Sequence, residues 1–232
     1  MKFFLSCEHG GCHIPEKYAL LFKDAEHVLS SHRGWDPGAL KLFRMMDSAY
    51  THHSAYNEVS RLLIELNRSL HHRQLFSTYT ASISDSLKDE IVRQYYLPYR
   101  NAFSDAVGSV VQNNEMVFHV SVHSFTPVLN DVTRNADIGL LYDPRHGMEK
   151  EIAKQWKQIL VSTIPGIRVR FNYPYSGKAD GHVVALRKTF GNLYSGIELE
   201  MNNAFSENVE VMRLISHSYS VLCEDVKSLQ PV

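Results

Sequence analysis

Cysteine is scarce in this chain. Its 232 residues include only Cys7, Cys12 and Cys223. An odd number at open spacing excludes a small domain stapled by disulfides. With no second cysteine pair, Cys7 and Cys12 do not make a zinc finger. Cys223 falls in a helical pattern and reads as a small core residue. A surplus of charge is also missing: 24 Lys and Arg stand against 25 Asp and Glu, a formal net charge of −1. No general field draws in nucleic acid or an acidic membrane, and there is no basic stripe. Long apolar runs are absent, so no membrane-spanning helix is expected. The start, Met1 to Cys7, loosely resembles a leader, but its apolar part is short and Glu8-His9 follow at once; it reads as a first strand. Repeats, low-complexity stretches and Pro/Gly/Ser linkers are missing too. The expectation is one domain over 1–232, long enough to bury one large core, in the cytoplasm.

Histidine, by contrast, is plentiful, with thirteen copies. His52-His53 and His71-His72 lie in polar stretches and read as solvated. Short apolar runs predict strands at 1–8, 59–66, 117–122, 137–142, 167–171 and 197–201. Helical spacing predicts helices at 37–50, 85–93, 95–112, 149–163, 183–189 and 209–229. Asp36 before Pro37 suits an N-cap, and Pro98 a kink or a helix start. Strands alternating with helices imply an α/β fold: a single-domain three-layer sandwich with a mixed, mostly parallel central sheet and helices on both faces. Some connections are too short for a crossover helix, so antiparallel edge strands are expected.

Two histidines and a glutamate sit at the ends of predicted strands. Phe3, Leu5, Cys7 and His9 alternate together, and Gly10-Gly11 allow a close turn beyond them. In Phe118 to His123 the residues His119, Ser121 and His123 share one face. Glu198 and Glu200 share a face of an otherwise apolar strand, where burial raises a carboxylate pKa and suits it to proton transfer. Ligands of open α/β sheets bind at the carboxyl ends of strands, so these groups are candidates for one pocket. A catalytic zinc site commonly takes three protein ligands. After His9 and His123, spacing leaves Glu8, Asp36, His13 and His32 open for the third. Arg61 and Arg68 flank the run Leu62 to Asn67; a buried arginine needs an anionic partner, whether Glu65, Glu198 or a substrate carboxylate.

Six segments then occur in order: Ser-Cys-Glu-His-Gly-Gly, Arg-Gly-Trp-Asp-Pro-Gly-Ala, Ser-Arg-Leu-Leu-Ile-Glu-Leu-Asn-Arg-Ser, Ser-Val-His-Ser-Phe-Thr-Pro, Arg-Asn-Ala-Asp-Ile-Gly-Leu-Leu-Tyr-Asp-Pro and Gly-Ile-Glu-Leu-Glu-Met-Asn. Together, from about residue 5 to 204, they resemble the N-formylglutamate amidohydrolase family, itself similar to zinc carboxypeptidases and aspartoacylases. The resemblance implies a zinc-carboxypeptidase-like fold and one zinc ion per chain. It implies His9, His123 and Asp36 as metal ligands, with Glu8 the next choice for the third. Cys12 stands where the carboxypeptidase pattern has glutamate. The resemblance further implies Glu200 as general base and Arg61 as the group polarising the scissile carbonyl. Asn67 and Arg68 would grip a substrate carboxylate. Glu65 departs from the aspartate usual there. Arg134 and Tyr175, the latter on a glycine- and tyrosine-rich loop at 173–181, are further candidates for substrate contact.

The expected activity is zinc-dependent hydrolysis of the amide of a small N-acyl amino acid, with N-formyl-L-glutamate first. The alternatives are a metallopeptidase or deacylase with a larger substrate, and an inactive binding protein on the same fold.

Overall fold

The computed structural model describes residues 1–228. The first apolar run forms β1 (Lys2–Cys7), buried from Phe3 onward. A 3-10 turn and the single-turn helix α1 (Glu26–Leu29) lead to α2 (Ala39–Met46) and β2 (Thr51–Tyr56). Then come α3 (Asp85–Ile91), a π turn at Val92–Tyr96 and α4 (Leu97–Val111). Ser84 caps α3, accepting from the Leu87 amide, and Pro98 lies in the first turn of α4, where its missing N–H costs nothing. After β3 (Val117–Phe125) a small hairpin pairs β4 (Val128–Leu129) with β5 (Val132–Thr133). The rest is β6 (Ile138–Leu141), α5 (Gly147–Thr163), β7 (Val169–Phe171), α6 (His182–Phe190), β8 (Tyr194–Asn202) and α7 (Val209–Ser228). Leu229, expected to end the last helix, lies outside the described residues.

The six long strands form one sheet in the order β2-β1-β3-β8-β6-β7. The pairs β2/β1, β1/β3, β3/β8 and β6/β7 are parallel, and β6 runs antiparallel to β8. The sheet is thus mixed and mostly parallel, with its reversed pair at one edge. One face carries Leu5, Val120, Ile197 and Leu199 against α2, α5 and α7, around the fully buried Trp156. The other carries Phe4, Val117 and Tyr194 against Phe103 and Val107 of α4 and Val183 and Leu186 of α6. The buried β3, apolar on both ends and covered on both faces, is what a parallel sheet demands.

Three local expectations are corrected. Residues 59–66 are turns, not a strand, apart from one bridge between Val59 and His13. Leu63, Ile64 and Leu66 still bury their side chains, in a second cluster with Tyr18, Ile91 and Tyr96. Their carbonyls are met by side chains instead of a ladder: Ser77 donates to Leu62 O and Thr80 to Leu63 O. The missed strand is β2, whose His52-His53 disguised it. It is an edge strand, half-buried, and His53 packs on Phe4 and Phe103 at ring distances of 5.5 and 5.4 Å. Asp36 is not an N-cap: Gly38 holds that position with φ of 82°, and no side chain caps α2.

The parallel run β1, β3 and β8 brings its carboxyl ends to one edge. In register, Ser6 pairs with Ser121, Ser121 with Glu198, and His123 with Glu200. The face shared with α4 and α6 therefore turns polar toward that edge. This is where the site forms.

Candidate active site

β1 stops at Cys7, so its alternation does not extend to His9 as the sequence pattern suggested. Glu8 and His9 lie in the turn that follows, and both are buried. Gly10 and Gly11 press this turn against residues 57 and 58. A Cβ on Gly11 would lie 2.5 Å from Glu58 O, so the turn tolerates no side chain there. Asp36 arrives on the loop before α2, its amide donating to His9 O.

These pieces converge. His9 Nδ1 lies 3.2 Å from His123 Nδ1 and 3.3 Å from Asp36 Oδ2, and His123 Nδ1 lies 2.9 Å from the same oxygen. All three side chains are buried, and they form a group that could hold a metal ion. Zinc bound tetrahedrally at about 2.0–2.1 Å would separate its ligand atoms by roughly 3.3–3.4 Å. The spacing fits, and so does the surrounding chemistry. His9 Nε2 hydrogen-bonds Glu65 Oε1. His123 Nε2 lies 3.2 Å from Glu8 Oε2 and 2.8 Å from Ser121 Oγ. Carboxylates accept, so a neutral imidazole with its proton on the distal nitrogen would turn its Nδ1 lone pair toward the shared site.

The charge balance points the same way. Burial disfavours charge on Asp36, Glu65 and Glu8, but His9 and Arg61 around Asp36, Arg61 and His9 around Glu65, and His123 and His182 around Glu8 outweigh it. All three carboxyls sit below the ordinary range. Burial likewise opposes charge on His123, yet Asp36 and Glu8 hold its pKa well above the usual histidine value. Arg61 serves Asp36 and Glu65, while His123 and His182 serve Glu8. A cation held among His9, Asp36 and His123 would add to that compensation.

Arg61 donates through Nη1 to Asp36 Oδ1 at 2.9 Å and through Nε to Glu65 Oε2 at 2.9 Å. It thereby ties the Asp36 carboxylate to the Glu65 that orients His9, and it also lines the cleft. Asn67 and Arg68 line the same cleft of about 280 Å³. The Asn67 side-chain oxygen accepts from the His182 amide at 2.6 Å, and Arg68 donates to Asp180 O. Tyr175, Ser176 and Asp180 of the 173–181 loop form one wall. Asp180 is pinned by the Ser69 amide at 2.8 Å. Arg134 does not reach the cleft wall. It stacks under Tyr175, 5.1 Å from the ring, and donates to its hydroxyl at 3.2 Å. Glu200 does reach it, and burial pushes its pKa up to about 8, with Asp36 and Glu198 adding to the rise. Its Oε2 is buried with no hydrogen-bond partner among the described residues. Glu198, beside it, is also raised by burial and accepts from Asn67.

Sequence reasoning missed His182, Tyr99 and Tyr194. His182 Nδ1 lies 2.9 Å from Glu8 Oε1, and Tyr99 donates to the same oxygen at 3.1 Å. Tyr194 Oη lies 2.6 Å from His119 Nδ1, whose Nε2 lies 2.8 Å from Ser6 Oγ. His119 is thus a satisfied core histidine. None of these residues carried a local signal, since each partner comes from a distant segment.

Fold and site together define an α/β protein with a buried His/Asp/His group and, at the carboxyl ends of parallel strands, a buried carboxylate with one oxygen unpartnered among the described residues. The family model described as N-formylglutamate amidohydrolase matches residues 1–205, and the chain belongs to that family, a hydrolase family. Among solved structures, it is similar to gene product Atu2144 from Agrobacterium tumefaciens, with a TM-score of 0.80 and 22% identity over 99% of this chain and 92% of that one. It is also similar to N-formylglutamate amidohydrolase from Ralstonia eutropha JMP134, with a TM-score of 0.67 and 16% identity over 97% and 92%. These likenesses bear on the fold. No curated protein matches the chain in sequence. No described helix is long and apolar enough to cross a membrane.

Proposed function

We propose that this protein hydrolyses the amide of a small N-acyl amino acid in a zinc-dependent reaction, with N-formyl-L-glutamate as first substrate. The observation that carries this reading is the three ligand atoms of His9, Asp36 and His123, 2.9–3.3 Å apart, beside the buried Glu200, whose Oε2 has no partner among the described residues. The three residues would hold the ion. When bound, zinc supplies Lewis acidity, polarising a carbonyl and lowering the pKa of water.

This chain's own groups do the rest. Glu200 takes the proton of the attacking water and passes it to the leaving amine. Positive charge at the triad opposes the rise in its pKa, as His123 already does. Arg61, fixed by Asp36 and Glu65, has N–H groups left over to meet the carbonyl oxygen as it gains charge. Arg68 and Asn67 orient the amino-acid carboxylate, and the 173–181 wall narrows access to water. Glu8 and Glu65 orient the two imidazoles from behind.

Protein purified without chelator should carry about one zinc per chain. Stripping it should abolish amine release from N-formylglutamate, and zinc should restore it. Metal-free protein with unchanged turnover would remove the metal from the reaction. Ligand and supporting roles separate by titration. Asp36→Ala removes an atom of the triad and should nearly eliminate zinc binding. Glu8→Ala removes only the partner of a distal nitrogen and should weaken binding by about 10–100-fold. The reverse order would make Glu8 the third ligand.

A further inference from the structure

A second cavity of about 470 Å³, larger than the reaction cleft, shares lining residues with it. Arg61 and Arg68 line both, so the two adjoin there. The second cavity adds Arg33 and Arg73, with Phe76 and Leu62 as apolar floor. Four guanidiniums therefore face one carboxylate, Glu65, and that carboxylate is already held by Arg61 and His9. The Arg33 and Arg73 guanidiniums have no hydrogen bond or ion pair among the described residues. In a chain of net charge −1, this is a local excess of positive charge with no structural use. Guanidinium pairs carboxylate bidentately, and a walled cavity strengthens that attraction over open water.

We propose that Arg33 and Arg73 form an anion subsite for a substrate longer than one amino acid, one that bears a further carboxylate beyond the group held at Arg68. This rests on the amide-hydrolase reading above. The α-carboxylate next to the scissile amide engages Asn67 and Arg68. The chain then continues through the side chain past Arg68, and a second acidic unit seats on Arg33 and Arg73. A single glutamate leaves most of the larger cavity unfilled. The substrate class is an N-acyl amino acid extended through its side chain by a further acidic residue.

The test compares N-formylalanine, N-formylglutamate and N-formyl-γ-glutamylglutamate on zinc-loaded full-length protein. Wild type should show the lowest KM for the γ-linked dipeptide. Arg33→Gln and Arg73→Gln, both at exposed positions, should raise that KM about tenfold with kcat unchanged and leave N-formylalanine untouched. The difference should shrink as salt rises. Calorimetric binding of γ-glutamylglutamate, compared with glutamate, gives a readout free of catalysis, with the same loss expected in Arg73→Gln. Equal KM values for N-formylglutamate and the dipeptide, or no selective loss in either variant, would overturn the subsite. If no formyl compound is hydrolysed but the dipeptide preference exists and is lost in Arg73→Gln, the hydrolase reading falls and the anion subsite stands.

Discussion

On the reading proposed above, Glu200→Gln should leave zinc binding intact and cut turnover by about 10²–10⁴-fold, the usual contribution of a positioned general base. The substitution is nearly isosteric, so packing on β8 is preserved. Zinc should stay because Glu200 contributes no atom to the His9, Asp36 and His123 group. Turnover should fail because an amide cannot accept the proton. The site is built to make this carboxyl basic. It is 5% exposed, its pKa is pushed up to about 8 by burial, and one of its oxygens is unpartnered among the described residues. Glu198 is the internal control. It lies on the same face, is also raised by burial, but accepts from Asn67. Glu198→Gln should cost far less in kcat. Metal content by elemental analysis and kcat on N-formylglutamate check both variants. Turnover that survives in Glu200→Gln and fails in Glu198→Gln would exchange the two roles.

The second large effect is on stability and lies outside the cleft. Glu149→Ala should destabilise the fold by about 3–5 kcal/mol, the typical cost of leaving one member of a buried ion pair alone. Glu149, in the first turn of α5, is fully buried. Its Oε1 accepts from Arg187 Nε at 2.7 Å and from the Gly196 amide at 3.0 Å. Its Oε2 accepts from Arg187 Nη2 at 2.9 Å and from the Asp143 amide at 2.9 Å. One carboxylate therefore joins α5, α6, the start of β8 and the segment after β6. Its removal leaves the Arg187 guanidinium with only the Gly177 and Gly196 carbonyls and no counter-charge, and takes the acceptor from two buried amides. Against a typical total stability of about 5–15 kcal/mol, that is a large fraction. Replacing both partners by methionine should recover part of the loss, since a matched apolar pair leaves no uncompensated charge. Urea melts of the single and double variants measure the difference. A single variant as stable as wild type would show that the pair carries no net stability.

Much of this was legible in the sequence. The α/β class and the mixed, mostly parallel sheet follow from apolar runs alternating with helical spacing. That His9, His123 and Glu200 share one cleft follows from their places at run ends, because strands that point the same way deliver their ends to one edge. Where local patterns misled, a tertiary partner overrode them. Residues 59–66 have the apolar content of a strand, but Ser77 and Thr80 take their carbonyls and a second cluster takes their side chains. β2 looks like a solvated loop until β1 supplies its ladder and Phe4 its packing. Arg134 lies near the others in motif order, yet it props Tyr175 and leaves the cleft wall to it.

The sequence by itself determined which chemistry is present: imidazoles, carboxylates and guanidiniums at the ends of buried runs, and the fold class that joins them. The tertiary structure alone decided which of them meet. Asp36 stands between His9 and His123, Glu8 sits behind His123, and Glu65 sits behind His9. Those pairings span 27, 87, 115 and 56 residues, and the link from Glu149 to Arg187 spans 38. Spacing in a strand or helix sets only the direction of a side chain within a few residues. Which distant group it faces depends on how the strands are ordered in the sheet and how the loops close over it.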